Sequence, residues 1–498
     1  MISSPNPPIR LHPQNPKIFE FRGKPLVLVT ATEHYGAVLN RPFRFERYVA
    51  DAADKSQTLT RLFLLFREFQ SACNPYSTCK PESTDYVAPF LRTGPGQASD
   101  GLPKYDLTRW NPEFFDRLHR FMALTSERGI VVEAVLLSNT YADQMWAVNP
   151  LNSVNNVNEV ETIPWADYMT RRHAKLFAWQ CAHVRKMVEE LNRYDNVLFE
   201  VCNEPGGAVA IPHAPTVDEV NDWLCALARL IRETEAELPC RHLLAGQEAF
   251  AYSHTLPEKG AVQQLSERSF RDFPVDVVNM HPLPNMTYRG RVYDLGQFMS
   301  AELHLQELRR YCLDAYRERK PLNLDEDNAA TRFRDENGWT IHRKRAWTTL
   351  FCGAHYDMID FSILPWLETG TPDSQRFLRT WMQHLSEYVK SIDVIRARPL
   401  ESFLTAQPAG TVGSALAVEG EEYHIYLADG REFSDPGAGG PVVGKIGFRL
   451  PEGGYRVTCF SPATGESSTP TELRGGADVT LPLKPFTHDV VVCIDKNR

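Results

Sequence analysis

From residue 18 to residue 390 the chain alternates between short apolar runs and longer stretches with apolar residues every three or four positions. The runs KPLVLVTAT (24–32), TLTRLFLLFREF (58–69), RGIVVEAVLLS (128–138), NVLFEVCNEP (196–205), RHLLAGQE (241–248), VDVVNMHPLP (275–284), KPLNLDEDN (320–328) and HYDMIDFSI (355–363) read as strands. Between them, NPEFFDRLHRFMALTSER (111–128), RRHAKLFAWQCAHVRKMVEELNRY (171–194) and VDEVNDWLCALARLIRETEAEL (217–238) carry the helical period. Strands apolar on both faces and separated by helices belong in a parallel sheet covered by helices. Eight such units predict an α/β fold, a (β/α)8 TIM barrel over residues 1–394. The loops after the second and third runs, 70–108 and 139–168, are long and rich in Asn, Pro and aromatics, and loops of that kind are usually functional. After residue 395 the pattern changes to short alternating strands between Gly, Pro and Asp turns, as in EEYHIYLADG and HDVVVCID. That change predicts a small C-terminal β-sandwich domain over 395–498.

Composition narrows the partners. With 498 residues the chain is long enough for a large domain and a smaller one, and 43% hydrophobic with 11% aromatic residues excludes wholesale disorder. A net charge of -9 argues against nucleic acid or an anionic membrane surface as partner. No apolar run is long enough to span a bilayer, and MISSPNPPIRLHPQNP lacks the basic-then-apolar signature of a signal peptide. The expectation is a soluble, cytoplasmic chain, or a secreted one if a signal peptide has been removed. Ten cysteines are scattered, with no CxxC and no HExxH, which argues against a zinc site. Only Cys73 and Cys79 are close together in a loop-like stretch, so one local disulfide is conceivable but not favoured.

In a barrel of this type the C-terminal strand ends form the active face. Those ends carry His34; Arg61 and Arg67; Asn203 and Glu204; Gln247 and Glu248; His281; Asp325, Glu326 and Asp327; and Trp366. Carboxylates ending the fourth and seventh strands face each other across the mouth, and such a pair can do acid and nucleophile work on a glycosidic bond.

These residues resemble clan A of the glycoside hydrolases, the superfamily that includes family 5 cellulases and mannanases. The likeness rests on NEP ending the fourth strand, a Glu ending the seventh and TLTRLF on the second; TEHYGAVLN, NPLNSVNNVN and DEDNAA are similar to cellulase-like bacterial proteins with a C-terminal sandwich. The resemblance implies that Glu204 is the acid/base and Glu326 the nucleophile. It also implies that Asn203 bonds the sugar 2-hydroxyl and that Arg61 keeps Glu326 ionised. The chain departs from family 5 at HPLP, where His-x-Tyr is usual, so a tyrosine that contacts the nucleophile is missing and the part of His281 is open. Retention requires carboxyls about 5–5.5 Å apart, with the acid protonated and its partner ionised.

Each choice has a structural competitor. Asp325 or Asp327 competes with Glu326, Arg67 with Arg61, and Glu248 is a rival carboxylate. Glu200 shares strand parity with Glu204 and reads as an ion-pair partner. His34 and Tyr35 either bind hydroxyls or are structural. Trp366 is the candidate sugar platform, since sugar faces stack on flat rings; Tyr141, Trp146, Trp165, Asn139 and Asn149 lie in the same loops. The sandwich offers Tyr423, Tyr426 and Tyr455 but no tryptophan, so bracing is the safer reading for it. The reading as a whole is a retaining glycoside hydrolase acting on a β-linked oligo- or polysaccharide, with carbohydrate as its partner and neither metal nor organic cofactor required. The alternative is a non-catalytic carbohydrate binder on the same scaffold.

Overall fold

A computed structural model describes residues 6–67, 83–208, 213–252, 262–296, 300–327 and 336–497. Strands β1 (Val29–Thr32), β2 (Leu59–Phe63), β3 (Val131–Ser138), β4 (Val197–Asn203), β5 (Leu244–Gly246), β6 (Val277–Met280), β7 (Leu322–Leu324) and β8 (His355–Ile359) form one 8-stranded sheet in sequential order. All its ladders are parallel, and β8 returns to β1. The amide of Thr58 donates to the carbonyl of Val29 at 3.1 Å across the β1–β2 seam, which brings the sheet round into a barrel. Helices α1 (Phe45–Asp54), α2 (Pro112–Arg128), α3 (Ala174–Leu191), α4 (Val217–Glu235), α5 (Glu267–Phe270), α6 (Leu305–Tyr316), α7 (Glu336–Phe351) and α8 (Thr380–Val389) follow the strands in turn. Local chemistry sets their ends: Asn111 caps α2 through the amide of Glu113, Gly129 closes it in a left-handed turn, and Thr216 with Glu219 forms a capping box on α4.

The run KPLVLVTAT is two elements, not one. Lys24–Leu26 pairs antiparallel with Asn15–Phe21, and only Val29–Thr32 enters the barrel. Arg22 and Gly23, both at positive φ, make the two-residue turn between the paired strands. Ile9, Phe19 and Phe21 pack with Leu59, Val131, Leu198 and Val277 at the strands' beginnings, so this N-terminal sheet floors the barrel.

The loops build up the other end. Strands Phe90–Gln97 and Pro103–Trp110 form a hairpin after β2, to which the asparagine-rich loop after β3 is laced. Tyr105 N donates to Asn155 O at 2.8 Å, Leu107 N to Asn158 Oδ1 at 2.7 Å, and Ser99 N to Asn155 Oδ1 at 2.9 Å. A 5-stranded sheet rises from the loops after β4, β5 and β6.

The C-terminal strands, from Arg398 to Lys496, are antiparallel. The 19-residue strand Val442–Phe460 shifts register against Thr471–Phe486, and such irregularities bend a sheet over on itself. Ile425, Leu427, Phe448 and Val479 fill the resulting sandwich. The opposite face, with Val412, Leu416, Tyr426 and Val491, shares a core with Trp347 and Phe351 of α7. No helix among the described residues is long and apolar enough to cross a membrane.

Candidate active site

Arg61 on β2 is buried and binds groups from β4 and from the end of β7. Its Nη1 donates to Glu326 Oε2 at 2.7 Å, and its Nη2 to Asn203 Oδ1 at 3.1 Å and to Glu200 Oε2. Asp325 Oδ2 lies 3.2 Å from the same Nη2. His281, just beyond β6, places Nδ1 3.1 Å from Glu204 Oε1. Its Nε2 lies 3.3 Å from Asp325 Oδ2 and 3.7 Å from Glu326 Oε2. Oxygens of Glu204 and Glu326 and a nitrogen of His281 all lie within 4.8 Å of one another. Tyr141, three residues past β3, donates its phenol hydrogen to the second oxygen of Glu204.

The backbone is strained where these groups emerge. Tyr35, Tyr141, Glu204, Glu326 and Trp366 have φ of 59°, 53°, 48°, 53° and 68°, in the left-handed region that costs a non-glycine residue on the order of 1 kcal/mol or more. Neighbours hold it. Asn139 accepts from the amide of Tyr141 at 2.8 Å and donates to the carbonyl of Glu204 at 3.0 Å, bracketing two of these residues with one side chain. Glu326 lies between two anchored aspartates. Asp325 bonds into the barrel interior, while Asp327 accepts two bonds from Arg345 of α7, at 2.6 and 3.1 Å, and one from Tyr356 at 3.0 Å.

Burial works against every charge here, so neighbours decide the protonation. Arg61 stays charged because Asp325, Glu200 and Glu326 outweigh its desolvation. Burial depresses His281, but Glu326, Asp325 and Glu204 raise it well above the ordinary imidazole range and keep it protonated. Burial pushes Glu204 up, but His281, then Tyr141 and Arg61, bring it below the usual glutamate value. Glu326 ends above that value: burial, with Glu204 and Asp325 near, outweighs His281 and Arg61. This reverses the expected order, in which Glu204 was the protonated member. The reason is the His281 cation, which the sequence did not place beside Glu204. Beneath the pair, burial lifts Glu200 to about 7 and holds Glu133 and Asp357 well above the normal carboxylate range.

The structure brings Glu204, Asn203, Arg61, Glu326 and His281 together. The amide nitrogen of Asn203 donates to Tyr141 at 2.9 Å and to Ser138 at 3.4 Å. His34 is buried against Tyr35 and Phe361, and burial lowers it to about 3, so it is neutral. Trp366 is 73% exposed on the loop after β8, its turn anchored by the buried carboxylate of Glu368, which accepts from its amide at 2.8 Å. The competitors go elsewhere: Arg67 pairs with Asp100 at 2.8 Å, Glu248 accepts from Ser269 N at 2.8 Å, and Glu200 pairs with Arg61. Trp146 is a core residue, and Tyr423, Tyr426 and Tyr455 are buried. Cys73 and Cys79 lie outside the described residues. Tyr141 was only one aromatic among several in the sequence; nothing in its spacing predicts that its hydroxyl meets Glu204.

Among the described residues, Glu204, His281 and Glu326 are the one group whose ligand atoms could converge on a metal ion. A metal would need one nitrogen of His281 freed, whereas the ring gives one nitrogen to Glu204 and the other to Asp325. The arrangement fits a shared proton better than a chelated cation.

A family described as "Domain of unknown function (DUF6298)" matches residues 83–223, a stretch that includes the laced loops, Tyr141 and Glu204. No curated protein matches the chain. Among solved structures, one described as "Glycoside hydrolase" is 11% identical with a TM-score of 0.61, the match covering 100% of this chain and 98% of that one. A glycoside hydrolase family 5 protein from Bacteroides vulgatus is also 11% identical, with a TM-score of 0.61 and coverage of 100% and 95%. A second B. vulgatus protein, titled as a glycoside hydrolase without proven activity, is 12% identical with a TM-score of 0.63 and coverage of 99% and 83%. The chain therefore has, over barrel and C-terminal sheet together, the fold of these glycoside hydrolase structures, one of them of family 5.

Proposed function

We propose that the protein is a retaining glycoside hydrolase that cleaves O-glycosidic bonds of a β-linked oligo- or polysaccharide by double displacement. The observation that carries this is the pair Glu204 and Glu326, with oxygens within 4.8 Å of each other at the barrel mouth. That separation suits direct attack better than the wider gap, about 6.5–9.5 Å, that accommodates a water in inverting enzymes. Glu204 and His281 share one proton across 3.1 Å. Moving it to Glu204 gives the neutral acid, which protonates the glycosidic oxygen as Glu326 attacks the anomeric carbon and the bond to the leaving alcohol breaks. In the second half Glu204 takes a proton from water, the water oxygen attacks the same carbon, and the ester to Glu326 breaks. Arg61 keeps a donor on Glu326 at 2.7 Å, which favours its ionised form. The fold likeness to glycoside hydrolases supports the reaction class.

The test is a panel of aryl glycosides assayed with the wild type, Glu204→Ala and Glu326→Ala. The expected outcome is hydrolysis of one sugar, lost by ~10³-fold or more in the nucleophile variant, because removing one member of a cooperating catalytic set costs most of its effect. Activity that survives both substitutions sinks the assignment. Binding of oligosaccharide without turnover of any substrate would make the protein a carbohydrate binder instead.

A further inference from the structure

Arg61 offers only hydrogen-bond donors, so its contacts fix the sense of every bond that follows from it. Its Nη2 donates to Oδ1 of Asn203 at 3.1 Å. The amide nitrogen of Asn203 is thereby turned to the phenol oxygen of Tyr141, 2.9 Å away. That oxygen accepts the bond, and its own hydrogen goes to Oε2 of Glu204. The same guanidinium donates directly to Glu326 at 2.7 Å. One cation thus reaches one carboxylate of the pair directly and the other through two neutral relays.

Tyr141 is built into its position. Asn139 ties its amide to the carbonyl of Glu204, and its ring meets Phe66 edge-on with centroids 6.2 Å apart. With His281 on Oε1 and Tyr141 on Oε2, both oxygens of Glu204 are held. The terminal torsion of a glutamate is otherwise broad and almost freely rotating. Only one carboxyl plane aims its proton at a glycosidic oxygen, and a misplaced catalytic group costs ~100-fold in rate.

We propose that Tyr141 is a positioning residue for Glu204, the last donor of a chain directed by Arg61 through Asn203, and that it fixes the plane of the Glu204 carboxyl. The catalytic meaning of this rests on the reading of Glu204 as the acid/base. A donor aimed at a carboxylate also favours the anion, so loss of the phenol hydroxyl raises the affinity of Glu204 for a proton. The other groups facing Glu204 stay in place: His281 after β6, Arg61 on β2, Glu326 after β7, His34 after β1 and Cys202 on β4.

Tyr141→Phe keeps the ring and its contact with Phe66, and removes the hydroxyl alone. Glu204 is titrated by 13C NMR in protein labelled at glutamate carboxyls, its signal assigned with Glu204→Gln. The expected result is a pKa raised by roughly one unit, the size of a hydrogen bond to a charged group. On the glycoside that the panel identifies, kcat falls ~10- to 100-fold while KM moves less than ~3-fold. An unmoved Glu204 titration overturns the proposal, and so does a loss confined to KM. If Tyr141→Phe does not fold, Asn139→Ala takes its place, with a smaller rise expected in the same direction and no rise overturning the proposal. A raised Glu204 pKa alongside full activity in Glu204→Ala would uphold the hydrogen-bond chain and sink the hydrolase reading, so the two fail separately.

Discussion

His281 shows how much a single residue decides at this site. It stands among Glu204, Asp325 and Glu326, and its charge lowers the proton affinity of all three. As the proposed nucleophile, Glu326 works only when ionised, so activity is expected to be lost as pH falls through its pKa. Because that pKa is raised, the acid limb of the rate profile is expected above the ordinary glutamate value of 4.5. His281→Gln removes a cation that lowers Glu326, so the acid limb moves further up and kcat/KM falls ~100-fold or more. A pH–rate profile whose acid limb stays in place would contradict this role. Much of the site was legible residue by residue. NEP at the end of an apolar strand, a glutamate ending the seventh strand and an arginine on the second each occupy a position that follows from strand order alone. Tyr141 and the charge on His281 were not legible, because they depend on a side chain arriving from another strand end within about 3 Å.

The same limit recurs among the elements. The turn Arg22–Gly23 has both residues at positive φ, but the apolar continuity of KPLVLVTAT masked the break that follows it. Helix α7 is the sharper case. Its sequence carries His342-Arg343-Lys344-Arg345, and all four side chains are buried. Arg345 reaches Asp327 beside Glu326, while Arg343 binds Asp489 of the C-terminal sheet at 2.8 and 3.0 Å. Lys344 donates to the carbonyl of Asp429 at 2.8 Å. The helix therefore sits between barrel and sandwich, with Arg345 turned to the barrel and Arg343 and Lys344 to the sandwich. Arg343→Met leaves Asp489 buried with only the Tyr426 hydroxyl, at 3.1 Å, still donating to it. The expected loss is about 3–5 kcal/mol, read as a lowered urea midpoint, and Arg343→Met with Asp489→Leu should recover most of it. A single variant as stable as wild type would mean that the contact does not join the two parts.

Across the whole molecule, the barrel is organised around a polar interior rather than a dry one. Glu133, Glu200, Asp325 and Asp357 are buried with Arg61 and Asn279, and burial followed by neighbouring Asp325 and Glu200 keeps Glu133 protonated well above the normal range. An acid whose folded pKa is raised stabilises the fold fully below its unfolded pKa. Above that, the native state keeps a proton that the unfolded chain has lost, so this contribution falls by up to about 1.4 kcal/mol per pH unit until the folded pKa is passed. Glu133→Gln retains the neutral shape and an acceptor for Asn279. It is expected to match wild type near pH 4, below the ordinary glutamate value of 4.5, and to exceed it in stability near pH 8. Parallel pH–stability curves for the two proteins would rule this out.

Hydrophobic period and strand order come from the chain itself, because they reflect the spacing of side chains along a local backbone. They determined the eight βα units, the change to β structure after residue 395, and which residues stand at the strand ends. Proton positions, the sense of the hydrogen bonds from Arg61 through Tyr141, and the burial of α7 depend on groups far apart in sequence. Arg61 and Glu326 are separated by 265 positions, and Arg343 and Asp489 by 146. Only closure of the barrel, and the packing of the sandwich against it, brings such groups within hydrogen-bonding distance, and at that range a neighbour's charge outweighs any residue's intrinsic preference.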